Sequence, residues 1–526
     1  MGDSLDQTDD EIFDIAVIGG GINGCGIAAD AAGRGLKVLL VEQADLASGT
    51  SSASSKLIHG GLRYLEQYAF RLVRESLQER EVLLANAPHI VWPLRFVVPH
   101  VPSMRSRPLI RAGLFLYDHL ARRRRIQSSH LVDMASDPAV RPLARSYKSG
   151  FAYWDCWVDD ARLVVDVALQ AAAHGAEIRT RTRLVSAGAE GRHWRLSLQS
   201  TLPPVAGGTR GGTAGTMPGT EVCARILVNA AGPWAGTLAN MAIHRDGMTT
   251  AVPVRLVKGS HIVVPRIPGA DSAYLLQAPD RRVVFLLPFA ERFTLIGTTD
   301  VPFDGDPATA AISTDEEAYL LGVANAFLAG PLTAADVVWR YAGVRPLYDD
   351  ASDDPSAVTR DYRLELDAPP GGPPLLTVVG GKVTTYRRLA ESAMELIAPH
   401  AGPVFGPSWT AHAPLPGGDM PDADFDAYAK AVAACYPRLP ASVLMQLLRR
   451  YGTRVSDVLG DAQTVADLGE DFGGGLSRRE VVYLRDREWA QTPEDVLWRR
   501  TKAGLAIAAK DRAASELRIA EVLAES

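Results

Sequence analysis

The sequence predicts an α/β protein. A Rossmann-type dinucleotide-binding domain is interrupted by an antiparallel-sheet domain and followed by an all-α domain at the C-terminus. Three observations carry this. Residues 13–42 read as strand, glycine turn, helix and strand. Short apolar runs bounded by proline or glycine crowd residues 254–300, a spacing that suits antiparallel strands better than further βαβ units. After residue 403 the apolar period turns helical. A chain of 526 residues has room for about two to four domains. Its 47% apolar and 22% charged residues are ordinary for a globular protein, and the net charge of −6 argues against a general nucleic-acid binder.

Ile15, Ala16, Val17 and Ile18 form the first strand, and Gly19-x-Gly21-x-x-Gly24 turns the chain into a helix over 22–34 that Gly35 ends. A second strand over 37–41 finishes on Glu42. This is a dinucleotide fingerprint in its required context. Gly19 permits the tight turn, Gly21 lets backbone approach a pyrophosphate, and Gly24 lets helix and strand pack closely. The helix N-terminus offers N–H groups to phosphate, and Glu42 can accept from a ribose hydroxyl.

The serine-rich stretch that follows, ending at His59-Gly-Gly, cannot build a core; it reads as a cofactor-following loop or as a flexible linker. Phe70, Val73, Leu77, Leu83 and Leu84 mark an amphipathic helix over 66–86, and 92–99 is a strand. Residues 105–125 set Leu109, Ile110, Leu114, Tyr117 and Leu120 near one face, with seven arginines around Asp118. Such a helix suits an anionic membrane surface, or packs on its own domain with a solvated basic end. Asp159 or Asp160 caps the next helix, strands follow at 177–179 and 192–198, and a glycine-rich tongue over 204–220 joins hairpin strands. A strand over 221–229 enters Ala230-Ala-Gly232, a helix covers 316–328, and a strand over 375–379 enters Gly380-Gly381-Lys382. Four helices are expected at 422–434, 442–450, 477–489 and 493–510. The domains expected are a discontinuous cofactor domain (11–66, 152–254 and 338–403), a substrate domain (67–151 and 255–337) and the helical domain (404–526). The four cysteines show no CxxC or zinc spacing and read as reduced structural thiols, and no local metal-ligand cluster appears. The acidic N-terminus is neither a secretory signal nor a transit peptide, and no run is long enough to span a bilayer, so membrane attachment is expected to be peripheral.

Several long strings carry a resemblance: SSASSKLIHGGLRYLE (51–66), VNAAGPWA (228–235), KGSHIVVP (258–265), AGVRPL (342–347), SAVTRDY (356–362), GGKVTTYRRLAE (380–391) and TPEDVLWRRTKAGL in the helical tail. Together they resemble the FAD-dependent glycerol-3-phosphate dehydrogenases of the aerobic, respiratory-chain type. The resemblance implies a glutathione-reductase or D-amino-acid-oxidase-like pairing of FAD-binding and substrate domains. It implies oxidation of sn-glycerol 3-phosphate to dihydroxyacetone phosphate by hydride transfer to flavin N5, with electrons passed to a membrane quinone. FAD contacts are then expected at Gly19, Gly21, Asn23, Gly24, Glu42, Thr50, Ser51, His59, Ala230, Gly232, Gly381, Lys382 and Thr384. Substrate contacts are expected at Arg63, Tyr64, Arg345, Arg360 and Lys382.

The residue types suit that chemistry. Arg63, Arg345, Arg360 and Lys382 sit in strand-end or loop motifs; converging, they would need a polyanionic ligand, because buried cations without partners are costly. Guanidinium groups match phosphate bidentately, while a structural ion pair is the alternative for each. Arg345 is expected nearest the substrate oxygen and the flavin. His261 is the candidate base, its pKa range suiting proton abstraction near neutrality, with a purely structural imidazole as the alternative. A helix starting after Gly381 would aim its N–H groups at the flavin N1–C2 edge. An oxidase using O2, an amine-oxidising flavoenzyme and a non-catalytic flavin binder stay open. The expected location is the inner face of the cell membrane, and a homodimer is left open.

Overall fold

The computed structural model describes residues 12–144, 147–202, 219–245, 252–349, 361–403 and 405–525. Arg360 and nearly all of the 204–220 tongue lie outside the described residues.

Strand Ile12–Ile18 is apolar on both sides and lies at the centre of a nine-stranded sheet, parallel to Val38–Val41 on one side and Thr220–Asn229 on the other. Alternation sends Ile15 and Val17 to one core, and Ala16 and Ile18 to another on the opposite face. Helices Ile22–Gly33, Asp160–Ala173 and Tyr386–Ile397 pack together over the first of these. Gly26 makes that possible: a Cβ there would stand 2.8 Å from the Tyr386 ring. Strand Thr220–Asn229 serves two partners, antiparallel His193–Ser200 along its first half and parallel Leu375–Val379 along its second. The tongue therefore joins two neighbouring antiparallel strands, as expected.

The second sheet has ten strands, antiparallel except where Ala273–Gln277 runs parallel to Val91–Pro99. Its longest ladder pairs Val254–Pro265 with Trp339–Tyr348, setting His261 opposite Tyr341 and Val257 opposite Arg345. Strands Gly150–Val158 and Trp339–Tyr348, which the sequence division placed mostly with the cofactor domain, hydrogen-bond in this second sheet. Their long partners Val91–Pro99 and Val254–Pro265 supply the ladder. Thr314–Phe327 covers this sheet, and its capping box joins Ser313 to Glu316.

The basic helix is shorter than expected, Arg107–His119, with Leu114 and Tyr117 buried and Leu109, Phe115 and Leu116 exposed. Phe70, expected inside, is also exposed, because the helix there begins only at Phe70. The C-terminal domain has its own core under helices Phe425–Cys435, Ala441–Tyr451 and Arg478–Arg487. The single helix expected over 493–510 is absent. A π-helical turn Asp495–Arg500, a 3-10 turn Ala503–Leu505 and a separate helix Ala509–Ala524 stand in its place. The break has a local cause. Thr501 returns both its N–H and its hydroxyl to the Val496 carbonyl, at 3.1 and 2.7 Å, and Lys502 adopts left-handed backbone.

Buried charges weld this domain to the first sheet. Arg500 grips Asp45 bidentately at 2.8 and 2.8 Å, and Arg499 adds a third contact at 2.6 Å. Arg162 joins Glu488 to Asp166, Arg181 meets Asp495 at 2.6 Å, and Lys502 meets Asp159 at 3.2 Å. Removing one partner of such a buried pair costs about 3–5 kcal/mol.

Glu316 sets an acid limit on the second sheet. Burial works against its charge, but Lys258 at 2.8 Å and donors from Ser313, Thr299 and Ser260 bring its pKa down to about 2. A depressed carboxylate stabilises the fold above its unfolded pKa and ceases to do so as pH falls through the folded value. Urea melts of the wild type should therefore lose on the order of 2–3 kcal/mol from this group between about pH 5 and pH 2. Glu316→Gln should be less stable at neutral pH and show a correspondingly flatter acid dependence.

Candidate active site

A cleft of about 1290 Å³ runs between the two sheets, larger than the ~300–1000 Å³ usual for one small ligand. One end is the glycine turn. Gly19 has φ +120°, and a Cβ there would lie 2.5 Å from the Ala230 carbonyl oxygen; at Gly24 it would lie 1.9 Å from the Gly19 oxygen. At Gly21 a Cβ would meet only the Ser51 Oγ, at 3.1 Å, so this backbone faces open cleft. That is a cradle a side chain would fill, and it fits a pyrophosphate. Ile22 N–H donates to Ser51 Oγ at 3.0 Å, and Thr50 Oγ1 donates to the Val344 carbonyl at 2.5 Å, tying the serine loop across the domains. Glu42 accepts from Gly20 N–H and Ala44 N–H, one to each oxygen at 2.7 Å. Burial, foremost, raises its pKa, and each oxygen keeps a lone pair for a ribose hydroxyl. Ala230 and Gly232 line the same wall with little side-chain bulk.

The middle of the cleft is closed by the Gly380–Gly381 turn, whose two glycines have φ +77° and +94°. Asn23 crosses over to donate to the Gly380 carbonyl at 3.0 Å, and His59 N–H donates to Thr384 Oγ1 at 3.2 Å. The α-helix does not start after Gly381 as expected. Lys382 is extended, Val383–Thr385 forms a 3-10 turn, and the helix begins at Tyr386.

Arg63, Tyr64, His261, Arg345 and Lys382 also line this cleft. Lys382 Nζ stands 3.9 Å over the Tyr64 ring. Arg63 is half-buried and makes no hydrogen bond or ion pair among the described residues. Arg345 is different: it is ion-paired to Asp300 and donates to Thr298 Oγ1 at 3.1 Å. His261 is 1% exposed, its Nε2 2.9 Å from Ser55 Oγ. Burial first, then the Arg345 and Lys56 charges, hold its pKa well below the imidazole range, so the ring is neutral at physiological pH.

Sequence reasoning did not single out Ser55, Asp300, Lys56, Asp160, Tyr341 or Trp498. Lys56 is buried against Asp160 at 2.7 Å and the Ser52 carbonyl at 3.0 Å, and Asp160 also holds Ser54 at 2.7 Å. Together they fold the serine loop under His261. The signal was present in the Ser-Ser-Lys string, but its acidic partner is more than a hundred residues away. The C-terminal domain contributes Glu494, Trp498, Arg499 and Lys502 to the cleft wall.

Comparison with known proteins agrees with this geometry. Residues 14–387 match the FAD dependent oxidoreductase family, and residues 408–526 match the C-terminal domain of alpha-glycerophosphate oxidase. A glycerol-3-phosphate dehydrogenase of Pseudomonas aeruginosa is 53% identical, covering 94% of this chain and 92% of its own. The D-erythritol 1-phosphate dehydrogenase of Brucella abortus is 48% identical, covering 96% of this chain and 97% of its own. The crystal structure of a Bacillus halodurans glycerol-3-phosphate dehydrogenase complexed with FAD superposes with a TM-score of 0.71 at 26% identity, covering 98% of this chain and 95% of that one. With the pinched glycine turn, the two-sheet cleft and both matched segments in agreement, this chain belongs to the FAD-dependent oxidoreductases, in the group that carries the alpha-glycerophosphate oxidase C-terminal domain.

Proposed function

We propose that the chain oxidises sn-glycerol 3-phosphate to dihydroxyacetone phosphate and passes the electrons to a membrane quinone. One observation carries the reading: three cationic side chains, Arg63, Arg345 and Lys382, line the same cleft as the dinucleotide turn. Arg63 and Lys382 offer donors to a phosphate dianion, and Arg360 is assigned to the same task by resemblance. Asp300 and Thr298 fix the Arg345 guanidinium in the cleft wall, where it is assigned to the substrate oxygen. His261, neutral and hydrogen-bonded to Ser55, takes the hydroxyl proton as the C–H bond breaks. FAD, which the glycine turn and Glu42 would hold, would supply the two-electron acceptor. The surrounding residues orient the substrate and keep water from it.

A longer polyol phosphate is the second reading, favoured by the similarity to the Brucella abortus enzyme. The cation cluster recognises the phosphate in either case.

The membrane contact is assigned to helix Arg107–His119 and its surroundings. Leu109, Phe115 and Leu116 are exposed on it, with Arg105, Arg107, Arg122, Arg124 and Arg125 exposed around them. Arg105 reaches Glu66 at 3.6 Å, which brings the exposed Tyr68 and Phe70 alongside. An apolar patch ringed by arginine suits an anionic bilayer surface. No helix among the described residues is long and apolar enough to cross a membrane.

Anaerobic addition of sn-glycerol 3-phosphate to the holoenzyme should bleach the flavin absorbance, while glycerol should not. Faster bleaching by D-erythritol 1-phosphate would make the longer polyol the substrate, and bleaching by neither would end the proposal. An oxygen electrode with and without a quinone analogue then separates dehydrogenase from oxidase. Arg63→Ala should raise KM for the phosphorylated substrate roughly tenfold to hundredfold, the value of one charge-assisted hydrogen bond. An unchanged KM would remove Arg63 from the phosphate site. Wild-type protein should co-sediment with phosphatidylglycerol vesicles at low salt, and Phe115→Glu with Arg124→Glu should release it. Equal sedimentation of the variant would move the contact elsewhere.

A further inference from the structure

The face of the His261 imidazole is held by a stack of aromatic rings that ends in the C-terminal domain. His261 lies on Tyr341 at 4.7 Å between centroids and 12° between planes. Tyr341 meets Trp339 at 4.8 Å, and Trp339 stacks on Trp498 at 5.0 Å and 21°. The first two contacts follow from strand register, since His261 faces Tyr341 across the ladder and Trp339 lies two residues along the same strand face. The last contact crosses between domains. Trp498 belongs to the π-helical turn whose next two residues, Arg499 and Arg500, grip buried Asp45. Gly504 lies against its indole, where a Cβ would come within 2.8 Å, and the Arg512 guanidinium stands 5.4 Å over its ring.

The ring needs this support because little else orients it. Ser55 holds Nε2, while Nδ1 is buried with no hydrogen-bond partner among the described residues. The opposite edge lies against Gly297, where a Cβ would stand 2.1 Å from Cδ2. One hydrogen bond and one glycine contact leave the ring free to rock, and an aromatic face at stacking distance removes that freedom. We infer that Trp498 is a positioning residue: through Trp339 and Tyr341 it sets the plane and the dryness of the His261 imidazole, so the C-terminal domain completes the proton-accepting site. The inference rests on the reading of His261 as the base.

Other groups also face His261 or its stack. Arg345 approaches from its own strand with Asp300 paired to it, and Lys56 from the serine loop stands 5.2 Å over the Tyr341 ring with Asp160 paired to it. Both cations keep the ring neutral, and neither touches Trp498 in the contacts described. Opening the stack admits water, eases the burial that disfavours imidazolium, and so moves the ring's titration toward higher pH.

The test uses flavin-loaded Trp498→Ala, Trp498→Phe and His261→Asn. Trp498→Ala should keep its flavin and its KM, lose roughly tenfold to hundredfold in kcat, and shift the acid limb of kcat to higher pH. Trp498→Phe should recover both. Protein labelled with 15N-histidine gives a readout without turnover: the His261 resonances, identified by their absence in His261→Asn, should titrate at higher pH in Trp498→Ala. Wild-type kcat, pH profile and imidazole titration in Trp498→Ala would overturn the inference. If Trp498→Ala loses its thermal transition, Trp498→Leu, which keeps bulk without an aromatic plane, is read in its place by the same criteria. Full turnover in His261→Asn would instead end the base assignment, and the resonance titration would still decide whether the stack controls the ring.

Discussion

The architecture depends on a buried anion. Asp45 lies just beyond the second strand of the nucleotide-binding unit and is fully enclosed, and Arg499 and Arg500 together satisfy both its oxygens. Those two arginines belong to the C-terminal domain, so the loop that follows the cofactor strand and the helical domain are bound in one charge-balanced seam. Arg162 with Glu488 and Asp166, and Arg181 with Asp495, extend it. Hydrophobic contact would tolerate sliding between domains; bidentate ion pairs with fixed forks do not. A rigid seam is what lets a domain outside the two sheets form part of the cleft wall.

The cleft itself sorts its cations by partner. Lys56 and Lys258, just behind the lining, are matched to carboxylates in the protein and serve the fold. Arg345 is anchored by Asp300, which fixes its direction. Arg63 has no partner among the described residues although it is half-buried, an arrangement that makes physical sense with an anionic ligand present. The His261 imidazole in the wall is kept neutral by burial and by the Arg345 and Lys56 charges. The proposed phosphate-binding and proton-accepting roles call for both conditions.

Much of the fold was legible because it is local. Strand Ile12–Ile18, the glycine turn, helix Ile22–Gly33 and strand Leu375–Val379 follow from apolar runs and glycine placement within thirty residues or fewer. The capped helices beginning near Asp159, Ser313 and Ser477 follow from side chains that accept from their own first turn. Where local signals misled, the causes were local as well as distant. The periodicity over 493–510 describes a good helix, yet Thr501 and Lys502 break it, and the π-helical turn is shaped by Asp45 more than four hundred residues away. Phe70 and Leu109 carry apolar periodicity and still face outward.

The dinucleotide turn was determined by sequence alone, because Gly19 and Gly24 leave no room for a Cβ and Gly21 keeps the cleft open at the turn. So was the supply of cations, since arginine and lysine beside glycine in loop motifs cannot join a core. Only tertiary structure decided which of those cations were already matched and which were not, because charge pairing is set by distances between segments far apart in the chain. It alone revealed that His261 sits behind Ser55, backed by rings from two domains. Stacking and burial depend on what closes over a residue, and nothing in the residue's own neighbourhood of sequence encodes that.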